Sequence, residues 1–118
     1  MAKVLIVDDA EFLRVRLTKM LNAEGHEVCQ AENGLKAVEM YREIHPDVVL
    51  MDVTMPEMDG LTALKEIVHF DAKAKVIMLT ALGQESVVLE AVKSGARDFV
   101  VKPFEQERVM KAITKILA

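Results

Sequence analysis

The sequence contains a single cysteine and no tryptophan among its 118 residues. Cys29 cannot form a disulfide within the chain, and one thiolate cannot build a cysteine-based metal cluster. This scarcity is typical of proteins from a reducing compartment. Because unpaired cysteine is among the residues most often buried, we expect Cys29 to lie in the core as a small apolar side chain.

Long apolar runs are also absent. The longest, such as Val4–Val7 and Val76–Leu79, are far shorter than the roughly 20 residues that span a bilayer. No apolar leader with a small-residue cleavage site follows Met1. We therefore expect a cytoplasmic protein without a membrane segment.

The sequence has no surplus of positive charge. Its 19 acidic residues outnumber its 15 lysines and arginines, and the formal net charge is -4. Binding to a nucleic-acid backbone needs a concentrated basic face, so direct nucleic-acid binding is not expected. His26, His45 and His69 lie in separate turn-like contexts, which argues against a histidine metal site and favours surface positions.

Proline and glycine, with 3 and 5 copies, are too sparse to form a flexible linker. The chain is 52% apolar, and its length suits one compact domain with one core. We assign residues 1–118 to that single domain.

Five β-rich runs alternate with segments of helical spacing. Three of the runs are almost entirely apolar, which is typical of parallel strands covered on both faces. The predicted strands are Lys3–Val7, Glu27–Ala31, Asp47–Met51, Lys75–Leu79 and Asp98–Val101. Helical spacing is clearest in the first and last intervening segments, at Leu13, Leu17, Met20 and Leu21 and at Val109, Ala112, Ile113 and Ile116.

Turn-forming residues separate these segments. Gly25 and Gly95 follow helical segments and can take the left-handed conformation that ends a helix. Pro46 stands where the second helix should give way to the third strand. We interpret Asn33-Gly34 as a strand-to-helix loop, because Leu35–Ile44 has helical rather than alternating spacing.

Strict alternation of strand and helix predicts a five-stranded parallel sheet with right-handed crossovers and helices on both faces. This is a doubly wound (βα)5 fold of the α/β class, similar to flavodoxin. The order 2-1-3-4-5 is common for a sheet of this size, and we expect it here.

Chemically capable side chains stand at the predicted strand ends, namely Asp8 and Asp9, Asp52, Thr80 and Lys102. Ligands bind beyond the carboxyl ends of the strands in open α/β sheets, so these residues should converge. Clustered carboxylates repel one another unless a cation neutralises them, and Mg²⁺ favours carboxylate and phosphate oxygens. The cluster therefore predicts a magnesium site that accepts a phosphate group and is suited to phosphoryl transfer.

Four motifs together resemble the receiver domain of two-component response regulators, and in particular its single-domain chemotaxis members. The resemblance covers essentially the whole chain. It implies a phosphorylation-activated signalling switch rather than an enzyme, although one that assists its own phosphorylation and its own slow dephosphorylation. The motifs are Leu5–Asp9 (LIVDD), Met51–Gly60 (MDVTMPEMDG), Leu79–Ala81 (LTA) and Val101–Phe104 (VKPF).

The resemblance implies a role for each acidic residue. Asp52 matches the aspartate that accepts a phosphoryl group from the phosphohistidine of a histidine kinase. Asp9 and Asp52 match the side-chain ligands of Mg²⁺, and the main-chain carbonyl of Thr54 matches a third ligand. Asp8 is expected to act mainly through water.

The resemblance also implies a conformational switch. Thr80 is expected to turn its hydroxyl toward the phosphoryl group, and Lys102 is expected to form an ion pair with that group. The peptide bond between Lys102 and Pro103 is expected to be cis. The ring of Phe99 then has room to rotate inward, because Ala81 is small. The change reaches a face formed by the fourth helix, the fifth strand and the fifth helix.

The implied partners are a histidine kinase or phosphotransfer protein and an output protein that binds this face. We expect a monomer, with weak dimerisation on phosphorylation. The charges of the face also suit an ordinary solvated surface. The output surface is predicted to include Val87, Glu90 and Lys93 on the fourth helix and Arg108, Lys111 and Lys115 on the fifth.

Three positions depart from the family pattern. Phe99 lacks the hydroxyl of the tyrosine often found there, so any signal through it is steric. Thr54 and Leu82 supply no carboxylate or amide to orient an attacking water. We therefore predict that the phosphorylated form hydrolyses slowly for a stand-alone regulator.

Other functions stay open at this stage. A phosphorelay shuttle or an isolated receiver domain of a larger regulator has the same motifs. A phosphatase similar to the haloacid dehalogenases also uses an aspartyl nucleophile, but it carries a second acid where this sequence has Thr54. A flavin-binding domain would have a loop rich in Ser, Thr and Gly after the first strand, whereas this chain has the acidic Asp8–Glu11.

Overall fold

A computed structural model describes residues 2–118, in which five strands alternate with five helices. The sheet is entirely parallel and has the order β2-β1-β3-β4-β5, as predicted. The strands are β1 Lys3–Val7, β2 Glu27–Ala31, β3 Val48–Asp52, β4 Val76–Ala81 and β5 Asp98–Lys102, and the helices are α1 Glu11–Ala23, α2 Gly34–Ile44, α3 Gly60–Phe70, α4 Glu85–Lys93 and α5 Gln106–Leu117.

The last three strands end later than the sequence predicts. Strand β3 begins at Val48 rather than Asp47 and includes Asp52, whose backbone is paired with Leu79 of β4. Strands β4 and β5 continue to Ala81 and Lys102. The polar side chains of Asp52, Thr80 and Lys102 suggested loop positions, but the backbones of these residues remain paired within the sheet. The sheet therefore fixes the main chain at Asp52 and Lys102.

Two apolar cores lie on the two faces of the sheet. Helices α2, α3 and α4 cover one face, around buried Leu64 and Met51, and α1 and α5 cover the other, around buried Leu17 and Ile113. Burial of this much apolar surface is the main stabilising contribution to such a fold. Cys29 is half-buried at the edge of the first core, whereas the sequence predicted that it would be fully buried.

The helix ends follow the predicted turn residues. Gly25 and Gly95 come just after α1 and α4 with φ of 86° and 115°, a region that favours glycine. Asn33 accepts a hydrogen bond from the backbone N–H of Lys36 and so caps the start of α2. Within residues 2–118, no helix is both long and apolar enough to cross a bilayer.

The histidines do not cluster. His45 and His69 are exposed, as expected, whereas His26 is half-buried and its Nδ1 accepts a hydrogen bond from the backbone N–H of Ala2.

Candidate functional site

The pleat of the sheet brings three charged residues to one face. In β1 and β3, Ile6 and Leu50 point into the core beneath α1 and α5, so the residues two positions later point the same way. These are Asp8, just beyond β1, and Asp52, the last residue of β3. Lys102 at the end of β5 follows the same alternation from buried Val100. The three charged side chains therefore form a polar cluster at the edge of this apolar core.

Lys102 joins the two buried carboxylates. Its Nζ donates hydrogen bonds to Asp8 Oδ2 at 2.9 Å and to Asp52 Oδ1 at 3.1 Å. Asp8 is 1% exposed, and its other oxygen accepts a hydrogen bond from the backbone N–H of Ala10. One ammonium group therefore compensates two carboxylates, and the cluster keeps a surplus of negative charge.

The pKa values reflect this imbalance. Burial, followed by the negative charge of Asp8, raises the pKa of Asp52, although the hydrogen bond from Lys102 opposes the rise. Burial alone would lower the pKa of Lys102, but its hydrogen bonds to Asp8 and Asp52 outweigh burial and raise that pKa. The ammonium form of Lys102 and additional positive charge near Asp52 are both favoured.

The acidic residues have the geometry of a cation site. One carboxylate oxygen from each of Asp8, Asp9 and Asp52 lies within 4.8 Å of the others. Asp9 is exposed at the rim, whereas Asp8 and Asp52 are buried. A hard divalent cation prefers oxygen ligands and relieves the repulsion between carboxylates, so the donor set fits Mg²⁺. The site is thus able to bind a divalent cation.

The loop between β3 and α3 packs against Asp52 through a glycine. The backbone N–H of Gly60 donates to the carbonyl of Val53 at 2.8 Å. A Cβ added at Gly60 would lie 1.9 Å from the carbonyl oxygen of Asp52, a distance that excludes any side chain. The glycine of the Met51–Gly60 motif therefore allows the loop to close over the end of β3.

Thr80 faces away from the acidic cluster in this structure. By the alternation along β4, its side chain points to the face of the sheet that α4 covers, together with Met78. Its Oγ1 lies 3.2 Å from Gln84 Oε1 and 3.1 Å from the carbonyl oxygen of Ala81, to either of which it can donate. The hydroxyl is thus bound on the side of α4.

The sequence did not identify Gln84 as a site residue. Its Nε2 donates to Thr54 Oγ1 at 3.2 Å, and its Oε1 accepts from the backbone N–H of Ala81 at 2.7 Å. Thr54 is exposed on the loop after β3, and Leu82 is 78% exposed. This chain has no amide at Leu82, but the amide of Gln84 contacts Thr54. Its position at the start of α4, four residues after Thr80, was the only sequence signal.

Phe99 borders an apolar groove between α4 and β5. The groove has a volume of about 320 Å³. The ring of Phe99 is partly exposed, and the exposed Ala81 lies along the same groove. The groove therefore leaves space beside Ala81, and inward rotation of the Phe99 ring stays a prediction. The peptide bond between Lys102 and Pro103 is cis, as expected.

The predicted output face is only partly as the sequence suggested. Val87 is half-buried against the core, and Glu90 forms an ion pair with Lys65 of α3 at 2.8 Å. Exposed apolar side chains instead come from Leu89 and Val92, which the sequence reasoning missed. The other predicted residues are exposed, namely Lys93, Arg108, Lys111 and Lys115.

Comparisons with known proteins give consistent matches. A family model described as response regulator receiver domain matches residues 4–114. The chemotaxis protein CheY of Bacillus subtilis is 55% identical over 116 residues, which are 98% of this chain and 97% of the relative. CheY of Thermotoga maritima is 51% identical over 115 residues, 97% of this chain and 96% of the relative.

A solved structure gives the same match in three dimensions. The complex of CheX with CheY, BeF3 and Mg²⁺ from Borrelia burgdorferi contains a chain 39% identical to this one. The two superpose with a TM-score of 0.93 over 98% of this chain and 89% of that chain. Sequence and fold therefore agree over nearly the full length.

Proposed function

The chain belongs to the response regulator receiver domain family, and from that premise we propose that Asp52 is its phosphoacceptor. The protein is a phosphorylation-activated switch of a two-component system, of the chemotaxis type. The observation that carries the assignment of Asp52 is its position. It is 8% exposed, 3.1 Å from the ammonium of Lys102, and clustered with two further carboxylates.

The proposed reaction is transfer of a phosphoryl group from phosphohistidine. A carboxylate oxygen of Asp52 forms a bond to phosphorus while the P–N bond breaks, and the imidazole nitrogen keeps the electron pair and takes up a proton. Lys102 already lies beside Asp52 and needs only a small movement to meet the added oxygens. Phosphoryl transfer depends mainly on positioning and on stabilising negative charge, which these residues provide.

The family and the acidic cluster support binding of a divalent cation, and we propose Mg²⁺. Asp9 and Asp52 are the proposed side-chain ligands, the main-chain carbonyl of Thr54 the third, and Asp8 acts through water. When bound, the ion would neutralise the charge that develops on the phosphoryl oxygens. Within residues 2–118, Lys102 is the one side-chain cation that bonds to the carboxylates of both Asp8 and Asp52.

Phosphorylation should reach the surface through Thr80 and Phe99. The phosphoryl group adds negative charge and strong acceptor oxygens, which favour a donor such as the Thr80 hydroxyl. When Thr80 moves inward, its hydroxyl leaves the side of α4, and the groove that Phe99 borders becomes larger. Because Phe99 lacks a hydroxyl, its response is a change of shape on the α4–β5–α5 face.

The family implies a kinase or phosphotransfer protein upstream and an output protein downstream. We propose that the output protein binds the α4–β5–α5 face, and that residues 1–118 form one receiver domain that acts as a monomer in the cytoplasm. The Borrelia burgdorferi relative was solved with CheX. A CheX-type protein is therefore one class of partner to test.

The identity of the phosphoacceptor is testable by chemical labelling. Acetyl phosphate with Mg²⁺ should add one phosphoryl group to the wild-type protein, detected as an intact-mass shift that hydroxylamine reverses. Asp52→Asn should block the addition. Glu57→Gln is a suitable control, because Glu57 is an exposed acid on the neighbouring loop. Labelling that persists in Asp52→Asn would place the acceptor elsewhere.

A further inference from the structure

Gln84 connects three segments around the site. It is the residue before the first turn of α4, yet its side chain does not cap that helix. The side chain instead contacts the end of β4, through Thr80 and the backbone of Ala81, and the loop after β3, through Thr54. A half-buried glutamine therefore bridges the two loops that flank Asp52.

The orientation of the Gln84 amide follows from its partners. The backbone N–H of Ala81 can only donate, so the atom 2.7 Å from it must be the amide oxygen. The amide nitrogen then faces Thr54 Oγ1, which has lone pairs to accept its hydrogen. With the oxygen fixed in this way, the Thr80 hydroxyl meets Gln84 Oε1 at 3.2 Å as an acceptor on the α4 side, in addition to the carbonyl oxygen of Ala81 at 3.1 Å.

This arrangement competes with phosphate recognition. The Thr80 hydroxyl has one proton, and a proton donated to Gln84 Oε1 is not available to a phosphoryl oxygen at Asp52. We propose that Gln84 is a positioning residue that holds Thr80 turned toward α4 and thereby restrains the switch. The proposal rests on the assignment of Asp52 as the phosphoacceptor.

The same residue links the site to the groove. Thr80 and Gln84 are among the residues that line the groove that Phe99 borders. When Thr80 leaves Gln84, the wall of the groove loses this contact and gains space. Gln84 thus acts on phosphate binding through Thr80 and does not itself contact the phosphoryl group.

The test uses beryllofluoride with Mg²⁺ as the phosphoryl mimic. Gln84→Met preserves the length of the side chain but removes its hydrogen bonds. We expect a roughly three- to tenfold increase in beryllofluoride affinity, the ratio that one neutral hydrogen bond supports. Gln106→Met is the matched control, because Gln106 is an exposed glutamine at the start of another helix. An unchanged or lower affinity in Gln84→Met would overturn the proposal.

A double-mutant cycle separates positioning from a general structural effect. Combined with Thr80→Val, Gln84→Met should no longer increase affinity, because the hydroxyl that it releases is absent. An equal increase in both backgrounds would show that Gln84 acts by another route. Failure of the wild-type protein to bind beryllofluoride would contradict the function proposed for Asp52, and this proposal with it.

A measurement on the unmodified protein makes the test independent of variant folding. Scalar couplings of Thr80 report the χ1 rotamer in solution, and we expect one dominant rotamer in the wild type. The couplings should become averaged in Gln84→Met or, if that variant unfolds, in Gln84→Ala. An averaged rotamer in the wild type would show that Gln84 does not hold the hydroxyl.

Discussion

Lys102 Nζ lies 3.1 Å from Asp52 Oδ1, although the two residues are 50 positions apart in sequence. The contact depends on the parallel sheet, which aligns the carboxyl ends of β3 and β5 on either side of β4. Both side chains point to the face of the sheet that α1 and α5 cover, so they meet at the carboxyl edge of that face. The ion pair is therefore a consequence of strand order as much as of residue type.

Lys102→Met should destabilise the protein in EDTA. Removing the cation leaves the carboxylates of Asp8 and Asp52 buried without a positive charge beside them, and removing one partner of a fully buried pair costs about 3–5 kcal/mol. The Lys102 side chain is 26% exposed, so we expect about 2 kcal/mol in urea denaturation, after discounting for solvent screening.

Lys65→Met is the matched control for Lys102→Met. Its pair with Glu90 joins side chains that are 49% and 55% exposed, so its loss should cost less than about 0.5 kcal/mol. Equal losses of unfolding free energy in the two variants would show that Lys102 stabilises the buried carboxylates no more than Lys65 stabilises an exposed one.

Mg²⁺ should raise the melting temperature of the wild-type protein. A ligand that binds only the folded state at ten times its Kd stabilises that state by about 1.4 kcal/mol. Asp9→Ala should abolish the shift, because Asp9 supplies the exposed carboxylate of the cluster. Glu11→Ala, which removes an exposed acid at the start of α1, should keep it. A shift retained in Asp9→Ala would place the ion elsewhere.

A buried tyrosine gives a separate pH dependence. Tyr41 donates to Asp71 Oδ2 at 2.7 Å. Burial, followed by this hydrogen bond, raises the pKa of Tyr41, and the same hydrogen bond lowers the pKa of Asp71. The contact therefore stabilises the fold fully above the unfolded pKa of Asp, about 4, and below that of Tyr, about 10.

Tyr41→Phe should be less stable than the wild type by about 1 kcal/mol inside this window, since Asp71 is near the surface. The difference should shrink as pH falls through the folded pKa of Asp71 and as it rises above the unfolded pKa of Tyr41. Urea denaturation at several pH values measures it. A difference that does not vary with pH would contradict this account.

The order of strands and helices could be predicted because it is encoded locally. Apolar runs, helical spacing and the residues Gly25, Pro46 and Gly95 each act within a few positions of the chain. The end of β3 was harder to predict. A charged residue such as Asp52 is typical of the start of a loop, but the backbone of Asp52 remains paired with Leu79.

The site was predictable where it depends on strand ends and less so where it depends on loops. Asp8, Asp52 and Lys102 converge because parallel strands end at the same edge. Gln84 was missed because its contact with Thr54 joins two loops 30 residues apart. That contact requires the relative positions of the two loops, which no sequence spacing specifies.

The lifetime of the phosphorylated form should depend on whether the side chains at positions 54 and 82 can orient an attacking water. Leu82 is largely exposed and has no polar atom to orient a water, while Thr54 is held by the amide of Gln84. Combining Thr54→Asn with Leu82→Glu would add an amide and a carboxylate at these positions. A positioned acid or base typically accelerates proton transfer by about 10²–10⁴, and flexible loop side chains should give about tenfold.

The measurement is the decay of the phosphorylated protein after removal of acetyl phosphate. Leu82→Ala is the control, because it removes the leucine without adding an oxygen. Its decay should stay close to that of the wild type if orientation of water is the missing element, and should accelerate if Leu82 only shields the site. The single variants show which position matters, since Thr54→Asn also disturbs the contact with Gln84. An unchanged or slower decay in the double variant would contradict the prediction that these two positions lack a group to orient the attacking water.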